Sequence, residues 1–281
     1  MRSVKFIVAA GAASLLSSVA FAADMPSIMP APAYAPPPVE DFGGWYLRGD
    51  IGFSNQQVKN VRSTDNALYA PVTSLNQTSD FDAAGIFGVG VGYQFNNWFR
   101  ADVTGQYRGN ANFKGMDLFN FNAGGGTTAQ GVDNYSASKS ELLFLANVYA
   151  DLGTWWCVTP FIGAGVGTSR VTISNFTDTG INNSTNSYSV AYGNSGSKWN
   201  FAWAAHAGLA YKVSPNLTLE LAYSYVDLGS GATGGSATYG NAPGPNVFNF
   251  KNITSNDVTL GLRWQLDNPP VYAPPPLVTK G

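Results

Sequence analysis

The chain of 281 residues has a formal net charge of −2, only 11% charged residues against 14% aromatics, and 32 glycines. So little charge excludes the highly charged kind of disorder, and the near-neutral balance leaves no basic footprint for nucleic acid. Cys157 is the single cysteine, so no internal cystine framework stabilises the fold.

At the start, Arg2 and Lys5 precede an apolar stretch from Phe6 to Ala20, and Ala20-Phe21-Ala22 has the small-x-small form of a signal-peptidase site. This predicts a signal peptide over residues 1–22, cleaved after Ala22. The alternative, a membrane anchor, needs roughly 20 apolar residues and no cleavage site. Residues 23–43 form a Pro-rich segment, and the tail over 267–281 repeats its theme: Tyr34-Ala35-Pro36-Pro37-Pro38 returns as Tyr272-Ala273-Pro274-Pro275-Pro276. Proline fixes φ and removes donors, so both stretches read as extended tethers. A sharper reading makes them periplasmic segments that touch peptidoglycan or an envelope protein.

From 44 to 266 the dominant period is two, the period of strands. Trp45, Leu47, Gly49, Ile51 and Phe53 form one face of the first strand, and Tyr46, Arg48, Asp50 and Gly52 the other. Phe87, Val89, Val91, Tyr93 and Phe95 then alternate with Gly88, Gly90, Gly92 and Gln94. Phe99, Ala101, Val103 and Tyr107 alternate with Arg100, Asp102, Thr104, Gln106 and Arg108. The same alternation continues through 139–152, 158–171, 199–212 and 217–225, and ends on Val258, Leu260, Leu262, Trp264 and Leu266. Eight strands result, each long enough to cross a bilayer when tilted.

The connections alternate too. Asn96-Asn97, Asp151 to Cys157 and Ser214-Pro215-Asn216 are short, whereas 57–80, 109–138, 172–197 and 228–254 are long and rich in Gly, Asn, Ser and Thr. That asymmetry predicts an all-β fold: an eight-stranded antiparallel up-and-down transmembrane β-barrel, with short periplasmic turns and four long extracellular loops.

A mean hydropathy of −0.05 does not oppose this, because only alternate residues of each strand meet lipid. The competitor is a soluble secreted barrel, which alternates equally well. A soluble barrel covers its outer face with Lys and Glu. Here the polar face is glycine, small residues and sparse mixed charge, suited to a crowded interior. The apolar face turns aromatic near strand ends, at Trp45, Phe95, Phe99, Trp199, Tyr211, Tyr225 and Trp264, as an interfacial girdle requires. The inward charges (Arg48, Asp50, Arg100, Asp102, Arg108, Glu141, Asp151, Glu220, Asp257 and Arg263) are of both signs and predict an ion-paired plug; the functional alternative is a narrow gated pore.

Three stretches carry a family resemblance: Asn97-Trp98-Phe99-Arg100-Ala101-Asp102-Val103; Asp151-Leu152-Gly153-Thr154-Trp155 running on to Thr159-Pro160-Phe161-Ile162-Gly163-Ala164-Gly165-Val166-Gly167; and Ala210 to Leu217 through Tyr223-Ser224-Tyr225-Val226-Asp227-Leu228-Gly229. They resemble the small OmpA-like outer-membrane barrels of alphaproteobacteria, porin-like surface antigens, over residues 44–266. The resemblance implies a structural or surface protein of the cell outer membrane, with some members implicated in adhesion, immune interaction or haemin binding. Such barrels often end on an aromatic residue; here Leu266 is followed by the proline tail, so either the assembly signal is internal or the last strand is miscounted.

No catalytic residue, cofactor-binding residue or metal ligand is expected. A nucleophile needs a base within hydrogen-bond reach, and the one histidine, His206, is followed by Ala207 and Gly208 rather than a serine. Glu220 on the next strand is its nearest candidate neighbour. A satisfied interior histidine is the expectation, and a lipid A-modifying enzyme the alternative. Tyr135, Tyr188, Tyr192 and Tyr239 are candidate axial ligands for haemin, but tyrosine is equally a residue of recognition loops. Gly124-Gly125-Gly126 lacks the strand-to-helix context of a phosphate cradle. Cys157, beside Trp155-Trp156, reads as an interfacial residue or as one half of an intermolecular disulfide. The expected partners are outer-membrane lipid and lipopolysaccharide, host or phage surface ligands through the loops, and peptidoglycan or an envelope protein through the tails.

Overall fold

The computed structural model describes residues 43–64, 70–238, 243–244 and 246–267. The predicted signal peptide, the YAPPP repeats and Tyr239 lie outside them. The strands are β1 (Gly44–Ser63), β2 (Val72–Phe81), β3 (Ala84–Gln94), β4 (Phe99–Asn122), β5 (Thr128–Asp151), β6 (Val158–Asn182), β7 (Ser187–Gly193), β8 (Gly196–Lys212), β9 (Leu217–Ala232), β10 (Ser236–Thr238), β11 (Pro243–Gly244) and β12 (Phe248–Gln265).

Eight of them close a ring, β1-β3-β4-β5-β6-β8-β9-β12, every pair antiparallel. The final strand β12 pairs with both β1 and β9, so the strand count at the C-terminal end stands. The short turns follow from local chemistry: Asn96 Oδ1 accepts the N–H of Trp98 at 3.0 Å and of Phe99 at 2.8 Å, closing the β3–β4 connection.

The long connections exist, and much of each continues the ladder. β4 and β5 stay paired from Phe99↔Ala150 to Asn122↔Thr128, and β6 with β7 from Phe176↔Gly193 to Asn182↔Ser187. β2 pairs the outer part of β4, from Phe81↔Phe113 to Val72↔Phe121. β1 and β2 are joined by a side chain: Gln77 donates to Val61 O at 3.0 Å and accepts from Val61 N at 3.1 Å, replacing a backbone rung.

The polarity of the two faces reverses partway up the wall. In the lower part of β1, Trp45, Leu47, Ile51 and Phe53 face outward and Tyr46, Asp50 and Ser54 inward. Beyond Phe53 the outward residues are Asn55, Gln57 and Lys59, and Val58 and Val61 are buried inside. On β12 the outward set passes from Trp264, Leu262, Leu260 and Val258 to Asn256 and Thr254, and the buried set becomes Ile253, Phe250 and Phe248. The two switches are in register, Phe53↔Val258 and Asn55↔Asn256. An apolar exterior is stable only against lipid, and an apolar interior with polar exterior only in water. This level is therefore the outer boundary of the hydrocarbon.

Candidate functional site

The lower interior is filled by ion-paired charges of both signs. Arg48 spans Asp50 at 2.8 Å and Asp102 at 2.9 Å and donates to Tyr149 Oη at 3.0 Å. Glu220 lies 3.1 Å from Arg263, 3.4 Å from Arg100 and 3.7 Å from Arg48. Arg100, wholly buried, also pairs Asp151 at 3.2 Å and lies over the Tyr149 ring at 4.2 Å and the Phe161 ring at 4.8 Å. Inward glycines make the room: a Cβ on Gly92 would collide with the Tyr46 ring, and one on Gly163 with the Tyr149 ring. Higher up, Arg108 grips Asp257 with two bonds, and Lys139 bonds both Gln56 and Glu141.

Every inward charge expected from the alternation is in this network. Sequence reasoning missed Lys139 as a member, since it sits at the end of the alternating run. Its ammonium lies 4.5 Å from the centre of the Phe81 ring, where charge gives way to an apolar core of Phe81, Phe113, Phe176, Phe250 and Ile253.

His206 requires a correction. A serine does lie within reach: cross-strand pairing sets Ser224 opposite His206, with Oγ 2.7 Å from Nδ1, while Nε2 lies 3.2 Å from Asn147 Oδ1. Sequence neighbours could not reveal it, because the contact comes from strand register. Glu220 instead pairs opposite Ala210 and serves the arginines. The His206–Ser224 pair faces a void of about 20 Å³, room for a single water molecule.

Above the apolar core, the outer end opens into a cavity of about 510 Å³, whose lining includes Asp117, Asp133, Asp178, Tyr135, Tyr188 and Phe248. Asp117 and Asp133 are directly opposed in register, and Asp178 is opposite Tyr135. Like charges in opposition are unfavourable. Burial, with the charge of Asp117, pushes Asp133 up to about 6; burial, with Asp133 and Asp117, pushes Asp178 up to about 7. Burial also raises Asp117, against the bonds donated by Gln77 at 2.8 Å and Tyr135 at 3.1 Å.

Of the candidate haemin tyrosines, Tyr135 is buried with its hydroxyl on Asp117, whereas Tyr188 and Tyr192 are exposed. Among the described residues no group of His, Cys, Asp or Glu is spaced to hold a metal ion. Cys157 is a free, exposed thiol in the turn bridged by Trp155 and Val158.

The chain matches the outer membrane protein beta-barrel domain family over residues 14–265. An uncharacterised Brucella melitensis protein is 30% identical across 77% of this chain and 79% of its own length. Outer membrane protein PagN of Salmonella typhimurium is 30% identical across 66% of this chain and 75% of its own. A candidate adhesin of Rickettsia felis is 26% identical across 95% of this chain and 100% of its own. Among solved structures, Neisserial surface protein A superposes with a TM-score of 0.42 at 14% identity, covering 80% of this chain and 100% of that one. The closed ring, the apolar exterior and the family match have one conclusion: this chain belongs to the outer membrane protein β-barrel domain family and resides in the cell outer membrane.

Proposed function

We propose that this protein is a structural barrel that contributes to envelope integrity and presents its outer end to other surfaces. The observation that carries this is the outer half itself. It has its own apolar core, buried as in a water-soluble domain, and it exposes Tyr188, Tyr192, Met116 and Leu118 to water. Exposed aromatic and methionine side chains on a rigid frame are what binding surfaces are made of. The existence of a candidate adhesin among the relatives supports the same reading.

A transport role fits less well. The lower interior is ion-paired from wall to wall, so opening a path would strip several charges of their partners at once. A catalytic role fits less well too, because the void beside His206 and Ser224 has no space for an acyl chain.

The test displays the protein on a non-adherent bacterium and counts attachment to host cells. Tyr188→Ser, Tyr192→Ser, Met116→Ser and Leu118→Ser together should reduce attachment several-fold while heat-modifiable gel migration is kept. Unchanged attachment by that variant, or none by the parent protein, would overturn the adhesive reading.

A further inference from the structure

The cavity at the outer end has the lining of a site for an organic cation. β4, β5 and β6 each bring one carboxylate to it, with Asp117 and Asp133 directly opposed and Asp178 opposite Tyr135. Carboxylates at that spacing repel one another. Gln77 and Tyr135 donate to Asp117, and Arg62 on β1 attracts the same group. No described basic residue lines the cavity itself.

Two acceptors on the lining residues are orphaned as well. Asp178 Oδ1 and Asn246 Oδ1 are buried and, among the described residues, have no hydrogen-bond partner. A buried acceptor left without a donor costs free energy, so this end of the barrel is short of donors as well as of positive charge. Gly180, opposite Asp133 in register, keeps the approach to that carboxylate open: a Cβ there would collide with Asp133 Oδ1 and Ser189 Oγ.

Among the other lining residues, Phe119, Phe121, Tyr188 and Phe248 supply an aromatic wall. Aromatic faces attract cations and also bury apolar stems. An ammonium or guanidinium group on a short hydrocarbon stem satisfies both parts of the lining. A bare metal ion does not, because among the described residues no group of acids is spaced to hold one. A neutral apolar ligand would leave the carboxylates buried and uncompensated.

We propose that the outer cavity binds an alkylammonium or alkylguanidinium group, its charge held among Asp117, Asp133 and Asp178 and its stem against Phe119 and Tyr188. A lysine or arginine side chain of a polypeptide and a free amine share this chemistry. The proposal does not rest on the adhesive reading, because purified protein and defined amines report on it without any cell surface.

The experiment is isothermal titration calorimetry of the full barrel in detergent micelles. Its probes are a short end-capped peptide with one lysine, the same peptide with that amine acetylated, and cadaverine. The lysine peptide should bind and the acetylated one should not. Asp133 and Asp178 hold their protons up to about 6 and about 7, so amine binding in that range should release protons, read as a heat that varies with the buffer. Asp133→Asn with Asp178→Asn, which keeps the shape of the protonated carboxyls, should lower affinity by about tenfold per carboxylate. Asp80→Asn, on the outward wall in register with Lys114, should stay within about twofold. Heat-modifiable migration confirms folding of each variant. Undiminished affinity in the double variant, equal binding of the acetylated peptide, no binding of either amine, or displacement of the amine by stoichiometric magnesium would each overturn the site. Cadaverine binding as tightly as the peptide would assign the site to free amines; binding of the lysine peptide alone would assign it to a polypeptide side chain.

Discussion

Below the Phe53↔Val258 level the barrel is apolar outside and charged inside; above it, the same strands are polar outside and apolar inside. The backbone does not distinguish the halves, since β4, β5 and β6 run through both with only local register shifts. The solvent does. In lipid the wall must be apolar and the interior can hold ions only if they are paired; in water the interior supplies the hydrophobic driving force. One ladder therefore carries two opposite binary patterns, and their junction is visible at Lys139, bonded to Glu141 on one side and facing the Phe81 ring on the other.

The comparison can be broken from the lower side first. Glu220→Gln removes the anion shared by Arg48, Arg100 and Arg263 and should cost about 3–5 kcal/mol, the usual loss when one member of a buried ionic cluster is removed. Urea unfolding in detergent micelles, followed by tryptophan fluorescence, would measure it; a loss below about 1 kcal/mol would mean that the plug does not hold the ring.

In the outer half, Ile253→Ala deletes a wholly buried side chain and should cost roughly 2–4 kcal/mol. Limited proteolysis should then cut the outer half while the lower barrel keeps its heat-modifiable migration. Loss of both together would show that the halves fold as one unit.

The smallest effect sharpens the contrast through pH. Folding raises Asp133 to about 6 and Asp178 to about 7, above the ordinary aspartate value. The folded outer end therefore binds protons that the unfolded chain has already released. Its contribution is fully present below the ordinary aspartate range and is lost as pH rises through about 6 and then about 7. Hydrogen-exchange protection of the outer strands, with each rate referred to the intrinsic rate at the same pH, should be greater at pH 5 than at pH 8, by on the order of 1 kcal/mol after solvent screening. Asp133→Asn with Asp178→Asn should flatten that dependence, and an unchanged slope would remove these two groups as its source.

Much of the lower half was legible in the sequence because alternation there is strict, and the inward charges could be read from parity alone, from Arg48 to Arg263. The outer half was harder. Stretches such as 109–138 and 172–197 are rich in Gly, Asn, Ser and Thr and read as loops, yet β4, β5 and β6 continue through them. The reason is physical: once the wall leaves lipid, its outward residues become the polar types that also fill loops. Spacing slips there as well, as between Val58 and Val61 on β1 or Phe250 and Ile253 on β12. The Ser224 partner of His206 and the opposition of Asp117 to Asp133 were hidden for another reason, since each depends on how two strands align.

The sequence by itself determined that this chain builds a closed β wall with a lipid-facing side, because a period of two, a glycine-rich polar face and alternating loop lengths permit little else. Only the tertiary structure decided where the wall leaves the membrane, which charges meet inside it, and that its long outer connections form a second, water-type core. Those depend on cross-strand register and on which solvent each face meets, and neither is written in the spacing of residues along one strand.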